Sequence, residues 1–240
     1  MLQQAAAIKE IAWRGQDPLT GKLRLGIFYA IGPHLLPELV KPIVELTPQM
    51  PLVLQENFAV KLLEMLRSGE LDCAIMAEPF TETGLALAPR YDEPFMVALP
   101  SAHPLAARAG ISSAQLKRET MLLLGAGHCF RDHVREVCLE FARFASAAEG
   151  LRKSFEGSSL ETIRYTVASG RGITVVPQLS VRAFERFGGS GHVRYIPFSA
   201  PVPSRRVALA RRRGVTRYEA IAALHNAVYD SRLGGVTRLS

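Results

Sequence analysis

Strand-like and helix-like hydrophobic patterns alternate along most of the chain. Residues 22–29 alternate apolar and polar side chains as a strand does, and residues 71–76 form an apolar run typical of a buried strand. Between them, apolar residues recur at helical spacing in 33–46 and 60–68. Strands separated by helices predict an α/β protein with a parallel-rich sheet. The other predicted strands are 52–56, 85–89, 95–99, 121–124, 153–155, 172–176, 193–196 and 206–210, and the other predicted helices are 130–145, 160–168 and 217–229.

Three shorter stretches predict breaks or fragments. Residues 3–14 read as part of a helix, followed by the breakers Gly15, Asp17, Pro18 and Gly21. Residues 92–94, Asp-Glu-Pro, predict a crossover between two strands, and the glycine-rich residues 188–191 predict a turn.

Composition excludes several classes of protein. The 240 residues are 48% hydrophobic and 21% charged, which is typical of a soluble globular protein with one large or two small domains. No run of eighteen apolar residues predicts a membrane span, and the first residues lack the pattern of a signal peptide. Three cysteines without a secretory signal favour a reducing cytoplasm over a structural disulfide framework.

The net charge of +7 is concentrated in residues 201–240, where eight arginines face two acids, Glu219 and Asp230. A basic stretch can indicate nucleic acid binding. No interleaved aromatic residues and no recognition helix accompany it, so we interpret this stretch as a solvated surface rather than a DNA-reading one.

Two cysteines, Cys129 and Cys138, lie nine residues apart in or beside the predicted helix 130–145. Nine residues of α-helix amount to about two and a half turns and ~13 Å along the axis. A disulfide requires Cα atoms within about 4.4–6.8 Å. Either the two thiols are unrelated, or a bond between them requires the helix to unwind and acts as a conformational switch.

The residues around Cys129 favour a reactive thiol. Gly125 and Gly127 place it near a helix N-terminus, where the helix dipole stabilises a thiolate, and His128 and Arg131 are close in sequence. Peroxide oxidises such a thiol to a sulfenic acid, which a second cysteine can resolve. The alternative is that Cys129 is an unreactive thiol and Cys138 a small core residue.

Other site chemistries find little support. His128, Cys129 and His133 are close together, but no further Cys or His pair has zinc-like spacing, so we predict no metal and no cofactor. The chain has no phosphate-loop pattern and no recognisable Ser-His-Asp context. Cys73 lies in an apolar strand and is predicted to be a core residue.

Several motifs resemble the regulatory domain of the OxyR family, the peroxide-sensing branch of the LysR-type transcriptional regulators. The specific part is the Gly-His-Cys-Phe-Arg-Asp stretch at 127–132 with the second cysteine, Cys138. Residues 26–37 and 159–164 add support, and stretches within 66–73, 91–94 and 170–177 are general to LysR-type effector domains. The likeness covers about residues 15–233.

The resemblance implies a role for each candidate site residue. Cys129 would be the peroxidatic cysteine and Cys138 the resolving one. His128 and Arg212 would bind and polarise the peroxide, with Arg212 matching the last residue of a Leu-Val-Tyr-Arg stretch; Arg211 and Arg213 offer other registers. Asp132 would orient partners, or is an ordinary acid of a first helical turn.

The chain departs from the family at two ligand-binding positions. Ala30 and Ala59 stand where the family has threonines that are thought to hydrogen-bond the peroxide. Losing both hydroxyls removes about 1–3 kcal/mol of polar contact. We therefore expect weaker sensitivity to hydrogen peroxide, or a pocket apolar enough for an organic hydroperoxide.

The resemblance also implies a fold and a set of partners. The fold is a two-lobed, type 2 periplasmic-binding-protein-like effector domain, with lobe I at 21–92 and 213–240, lobe II at 93–212, and residues 1–20 as the end of a linker helix. Partners would be hydrogen peroxide, a second copy in a homodimer or homotetramer, RNA polymerase, a reductant such as glutaredoxin, and promoter DNA through a helix-turn-helix domain that is absent here.

Alternatives from other classes stay open. One is a LysR-type effector domain that binds a small organic ligand between its lobes, with the cysteines incidental. Another is an extracytoplasmic solute-binding protein, which the N-terminus disfavours. A third is a thiol peroxidase, although nothing indicates a catalytic cycle, so we expect a regulator rather than an enzyme.

Overall fold

The structure is a computed structural model that describes residues 19–80, 83–125, 128–137, 159–186, 191–213, 217–231 and 233–239. Its helices and strands follow one another as β1 Leu23–Phe28, α1 Gly32–Leu46, β2 Leu52–Asn57, α2 Ala59–Ser68, β3 Cys73–Ala77, β4 Leu85–Pro100, α3 Cys129–Val137, α4 Leu160–Ala168, β5 Thr174–Pro177, α5 Gln178–Arg186, β6 Val193–Pro197, β7 Ser204–Arg212, α6 Tyr218–Asp230 and β8 Thr237–Arg238. Short 3₁₀ turns lie at Pro104–Ala107 and Ser113–Arg118.

The chain forms two compact units, each built from separate segments. The first contains Met1–Arg90, Val207–Leu233 and Arg238–Ser240, and the second contains Tyr91–Arg206 and Gly234–Thr237. The expected lobe boundaries, after 92 and after 212, lie two and six residues further along the chain. The second difference has a direct cause: Val207–Arg211 pair with β3, which holds them in the first unit.

The first unit is built on a sheet with strand order β2-β1-β3-β7, in which β1, β2 and β3 are parallel and β7 runs antiparallel to β3. Strand β3 is buried throughout and β1 nearly so. Continuous burial is what parallel strands covered by helices require, and it explains the unbroken apolar run of β3.

The helices of the first unit have recognisable starts and stops. Helix α1 begins with a proline in its first turn, where the missing N–H costs no helical bond. Helix α2 ends at Gly69, whose φ of +80° is the left-handed conformation that glycine adopts without strain. Both helices turn a leucine-rich face inward; the buried leucines include Leu35, Leu39, Leu62 and Leu66.

A buried charge cluster ties the start of the described chain to helix α6. Arg217, which precedes α6 and is 4% exposed, donates hydrogen bonds to the carbonyl oxygens of Thr20, Gly21 and Lys22. Its guanidinium also lies 3.7 Å from Asp72, which is bound in turn by Arg24. These bonds fix the first unit's leading segment against the helix that follows β7.

The second unit has an antiparallel sheet in which β4 pairs with β5 on one side and β6 on the other. The residues that face inward from β4 include Tyr91, Phe95 and Val97, each 1% exposed or less. Helices α3, α4 and α5 also belong to this unit.

The structure corrects the predicted break at residues 92–94. Leu85–Pro100 is one continuous strand. Pro94 is compatible with it because the ladder with β5 begins only at Phe95, so the missing N–H removes no bond from that ladder. Glu93 is compatible because its carboxylate is paired with Arg205 inside the unit.

Two further differences concern short elements. The expected strand 121–124 is reduced to one bridge between Met121 and Ile173, and helix Gln178–Arg186 was missing from the predicted elements. Predictions for 3–14, 138–145, 153–155 and 188–190 fall outside the described residues. Among the described helices, none has both the length and the apolar character that a membrane crossing requires.

Candidate functional site

Cys129 is the first residue of helix α3, within the second unit. The turn is closed by the Arg131 N–H, which donates to the His128 carbonyl oxygen at 2.9 Å. Phe130 and Val134 are 2% and 3% exposed, whereas Asp132 is exposed, so the helix has one face fixed in the interior. Cys129 thus occupies a helix N-terminus, a position where free N–H groups and the positive end of the helix dipole generally favour a thiolate.

His128 immediately precedes this helix and is half-buried. Burial lowers the pKa of its imidazole, because a low-dielectric environment disfavours the charged form. The lowered pKa favours the neutral imidazole over the imidazolium at neutral pH.

Ala30 and Ala59 lie at one edge of the first unit's sheet. Ala30 follows β1 and is 5% exposed, and Ala59 is the first residue of α2 and half-buried. Because β1 and β2 are parallel, with Phe28 opposite Asn57, both alanines follow the carboxyl ends of neighbouring strands. The preceding residues, Tyr29 and Phe58, meet edge to face with ring centroids 5.1 Å apart.

Arg212 lies at the opposite edge of that sheet. Its strand, β7, runs antiparallel to β3 and places Arg211 opposite Cys73, at the amino end of β3. The Arg212 guanidinium is close to Gly69, where an added Cβ would be 3.1 Å from Nη1. The structure thus does not bring Arg212 together with Ala30 and Ala59.

The carboxyl end of β3 instead lies opposite the beginning of β7. Ala77 pairs with Val207, and the residue before Val207 is Arg206. Arg206 is 46% exposed in its side chain and forms a two-point ion pair with Asp92, at 2.8 and 3.0 Å. The sequence motif indicated Arg212 and not Arg206. The antiparallel direction of β7 relative to β3 places these two arginines at opposite ends of β3.

Cys73 is fully buried in the middle of the first unit's sheet. Burial, reinforced by the negative charge of Asp72 and opposed by Arg217, raises the pKa of its thiol far above the ordinary range. A thiol that stays protonated and inaccessible is inert towards peroxide, so the prediction of a core residue is confirmed. Cys138 falls outside the described residues.

A buried ion pair near α3 escaped the sequence analysis. Glu93 and Arg205 are 0% and 1% exposed in their side chains, and Glu93 Oε2 lies 2.8 Å from Arg205 Nε and 2.7 Å from Nη2. Glu93 Oε1 accepts a hydrogen bond of 2.9 Å from the Leu179 N–H, at the start of α5. The sequence pattern placed Glu93 only in a predicted crossover between two strands, and its partner lies 112 residues away.

A cavity of about 410 Å³ opens at the surface of the first unit. Its lining combines the apolar Leu209 and Ile221 with Arg211, Tyr218 and His225. The Arg211 guanidinium lies 4.9 Å from the centre of the Tyr218 ring. Among the described residues, no group of three or more His, Cys, Asp or Glu side chains is arranged to hold a metal ion.

Curated relatives are regulators that respond to hydrogen peroxide. The hydrogen peroxide-inducible genes activator of Pectobacterium carotovorum is 36% identical over 226 residues, which cover 92% of this chain and 72% of that protein. The DNA-binding transcriptional dual regulator OxyR of Escherichia coli is 34% identical over 241 residues, covering 99% of this chain and 76% of that protein.

Solved structures agree. The reduced OxyR regulatory domain of Pseudomonas aeruginosa is 43% identical with a TM-score of 0.77, covering 88% of this chain and 96% of that one. A reduced form of OxyR from Neisseria meningitidis is 38% identical with a TM-score of 0.83, covering 91% of this chain and 99% of that one. An oxidised form of OxyR is 30% identical with a TM-score of 0.72, covering 89% of this chain and 96% of that one.

The family model of the LysR substrate binding domain matches residues 16–231. That match spans every described strand and helix except β8, and it agrees with the two-lobed, type 2 periplasmic-binding-protein-like architecture that the resemblance implied. The chain therefore belongs to the OxyR family of LysR-type transcriptional regulators.

Proposed function

We propose that this chain is the hydrogen-peroxide-sensing regulatory domain of a LysR-type transcription factor and that it switches by forming a disulfide between Cys129 and Cys138. The observation that carries the proposal is the position of Cys129 as the first residue of a helix whose next residue, Phe130, is buried. This position combines a helix dipole that favours the thiolate with a helix that a disulfide would have to disrupt.

The chemistry has two steps. The Cys129 thiolate attacks one oxygen of hydrogen peroxide; an S–O bond forms, the O–O bond breaks, and the departing hydroxide takes a proton to become water. The Cys138 thiol then attacks the sulfenic sulfur, so that an S–S bond forms, the S–O bond breaks, and a second water leaves. Peroxide gains two electrons, and the two thiols lose two electrons and two protons.

Hydrogen-bond donors accelerate the first step by stabilising the departing hydroxide. His128 is a candidate donor, since it precedes Cys129 and is held in its neutral form by burial. Asp132, one turn into the helix and exposed, orients partners. For the arginine we favour Arg206 over Arg212, because Arg206 directly precedes Val207, which pairs with Ala77 at the carboxyl end of β3.

The family relationship supports the proposed partners. They are promoter DNA, contacted through a helix-turn-helix domain, RNA polymerase, a thiol reductant such as glutaredoxin, and a second copy of the chain. The curated relatives named above are activators or regulators of genes, which supports a signalling role rather than an enzymatic one. The thiol chemistry then serves a conformational change and not turnover.

The test is a count of free thiols after stoichiometric hydrogen peroxide, followed by peptide mapping. A bond between Cys129 and Cys138 with Cys73 still reduced is the expected result. If Cys73 is consumed first, or if the mapped disulfide joins other residues, the proposal fails.

A second candidate function is an effector domain that binds a small organic molecule. The cavity in the first unit favours it, because its volume suits such a ligand and Arg211 offers a cation for a carboxylate. Calorimetric titration with benzoate, compared between the native chain and Arg211→Met, would test it. Binding that Arg211→Met does not weaken would reject this cavity as the site.

A further inference from the structure

Phe130 fixes the first turn of helix α3 in the interior of the second unit. Its ring meets Phe95 of β4 edge to face, with centroids 5.4 Å apart and planes at 89°. One turn further along, His133 is 6% exposed and its ring centroid lies 6.4 Å from that of Phe95. Phe130, the residue adjacent to Cys129, thus packs against strand β4.

A buried cation lies over the same ring. Arg205 Cζ is 5.4 Å from the centre of the Phe130 ring, and both side chains are almost fully shielded from solvent. A cation over an aromatic face is attracted most strongly when both are desolvated. Arg205 is itself held by Glu93, which also accepts the Leu179 N–H. The Glu93 carboxylate therefore links β7 to the start of α5 and, through Arg205, to the start of α3.

The arrangement resists small displacements. Moving Arg205 away from Glu93 would leave a buried charge without compensation, which is far more costly than losing an exposed pair. The Phe130 ring can move away from Phe95 and Arg205 without separating Arg205 from Glu93, because dispersion and the cation–π contact hold the ring, and no covalent or ionic bond does. Phe130 is the part of this cluster that can move.

A bond between Cys129 and Cys138 would require such a movement. Along α3, Cys129 and Val137 are separated by ~12 Å. Cys138 directly follows Val137, and consecutive Cα atoms are only ~3.8 Å apart, whereas a disulfide needs the Cα atoms of the two cysteines within about 6.8 Å. The backbone on one side of Cys129 must then leave the helical path that seats Phe130. The contact with Arg205 stabilises the dithiol state more than the disulfide state.

We infer that Glu93 and Arg205 are positioning residues for the redox switch: acting through the Phe130 ring, they hold the helix start in its dithiol conformation and thereby set the reduction potential of the Cys129–Cys138 couple. The inference rests on the proposed function. It predicts that weakening the contacts of the Phe130 ring favours the disulfide, so the reduction potential of the Cys129–Cys138 couple becomes more negative.

The main variant is Phe130→Leu, which keeps an apolar side chain and removes the aromatic face. Its matched control is Phe198→Leu, a phenylalanine of the same unit that is 4% exposed and bridged to Ile111. The double variant Glu93→Gln/Arg205→Met removes both charges together and keeps an acceptor for Leu179. Its control is Glu119→Gln, which alters the partly exposed pair with His103.

The first measurement is the reduction potential in defined thiol–disulfide buffers. We expect the equilibrium constant to shift about tenfold towards the disulfide in Phe130→Leu and in the double variant, which corresponds to a potential ~30 mV more negative. The two controls should stay within a third of that shift. Equal shifts in controls and variants would mean a general loss of stability and would overturn the inference.

The second measurement is amide hydrogen exchange in the reduced protein, which does not depend on thiol chemistry. We expect about tenfold faster exchange at Arg131, His133 and Val134 in the two test variants and no change there in the controls. If the native chain forms the Cys129–Cys138 disulfide but neither potential nor exchange responds, the inference fails and the proposed function stands. If no such disulfide forms, the proposed function and the potential-setting role fail together, while the exchange data alone decide whether Phe130 is seated as described.

Discussion

Arg211 on β7 lies directly opposite Cys73 on β3, and this pairing fixes which arginine can serve each edge of the first unit's sheet. Strand β7 ends with Arg212 beside Gly69, at the amino end of β3. Arg206, five residues before Arg211 and near the start of the strand, directly precedes Val207, which pairs with Ala77 at the carboxyl end of β3. The two arginines therefore lie at opposite ends of β3.

Replacing Arg206 should slow peroxide chemistry, and replacing Arg212 should not. We expect Arg206→Met to reduce the rate of thiol oxidation about tenfold, since one hydrogen bond to the departing hydroxide is lost, worth ~1.4 kcal/mol. Arg212→Met should oxidise at the native rate. Stopped-flow measurement of thiol loss checks both, and the opposite ranking would restore Arg212 to the site.

Cys129→Ser should abolish rapid consumption of thiols by peroxide. The reason is that Cys73, fully buried and with a strongly raised pKa, offers no thiolate. Cys73→Ser is the matched control and should react like the native chain. Rapid residual reaction in Cys129→Ser, measured by free-thiol titration, would contradict the assignment.

Ala30→Thr together with Ala59→Thr should speed oxidation by hydrogen peroxide. If one hydrogen bond of ~1.4 kcal/mol is gained in the transition state, the rate rises by up to about tenfold. Ala59 is half-buried and begins a helix whose flanking residue, Phe58, provides no side-chain cap, so a hydroxyl is readily accommodated there. Ala30 is tighter at 5% exposed.

The rate of oxidation by bulky organic hydroperoxides should rise less in the same double variant. The two threonine side chains leave less space beside Tyr29 and Phe58 and make the surface there more polar. Parallel rate measurements with hydrogen peroxide and cumene hydroperoxide give the ratio. An equal gain for both oxidants would show that these two positions do not contact the reacting peroxide.

Cys73 should make the fold sensitive to alkaline pH. Its pKa is raised in the folded state from an ordinary value of 9.0, chiefly by burial. The unfolded chain releases this proton above pH 9 while the folded chain retains it, so stability falls as pH rises, by about 1.4 kcal/mol per pH unit for one group. Cys73→Val lacks this dependence.

Urea denaturation of both chains at pH 8 and pH 10, under reducing conditions, checks this. The difference in unfolding free energy between the native chain and Cys73→Val should shift by about 1.4 kcal/mol in favour of the variant at pH 10. A difference that stays constant would mean that the thiol is not shielded as described.

The chain should also form a homodimer whose packing depends on redox state. The reason is the family relationship, since OxyR regulatory domains resemble this chain over most of their length. Sedimentation velocity at tens of micromolar, before and after peroxide, measures it. A monomer in both states would count against this expectation.

The sequence predicted the local elements well where a single pattern decides them. Strand β3 and helix α2 are specified by a continuous apolar run and by a helical repeat ending at glycine, and both were found within two residues of the predicted bounds. Strand β4 was divided wrongly because Glu93 and Pro94 are locally unfavourable in a strand. Their compensation, an ion pair with Arg205 and the late start of the β5 ladder, is a tertiary effect.

The candidate site was predictable only in part for the same reason. The position of Cys129 at a helix start follows from neighbouring glycines and helix formers. The seat of Phe130 does not, because it depends on Phe95 and Arg205, which are 35 and 75 residues distant in sequence. Arg212 was selected by local similarity, and only the antiparallel direction of β7 relative to β3 distinguishes it from Arg206.

The burial of Cys73 supplies every redox experiment on this chain with an internal standard. If accessible thiols are alkylated in the native state with a light reagent, and the chain is then denatured, reduced and alkylated with a heavy one, Cys73 carries the heavy label in every molecule. The heavy signal on the Cys129 peptide, divided by the sum of its heavy and light signals, gives the oxidised fraction, and a Cys73 peptide that carries only the heavy label shows that the chain stayed folded during the first alkylation. Mass spectrometry can thus follow the switch in unpurified extracts, without calibration against a separate sample.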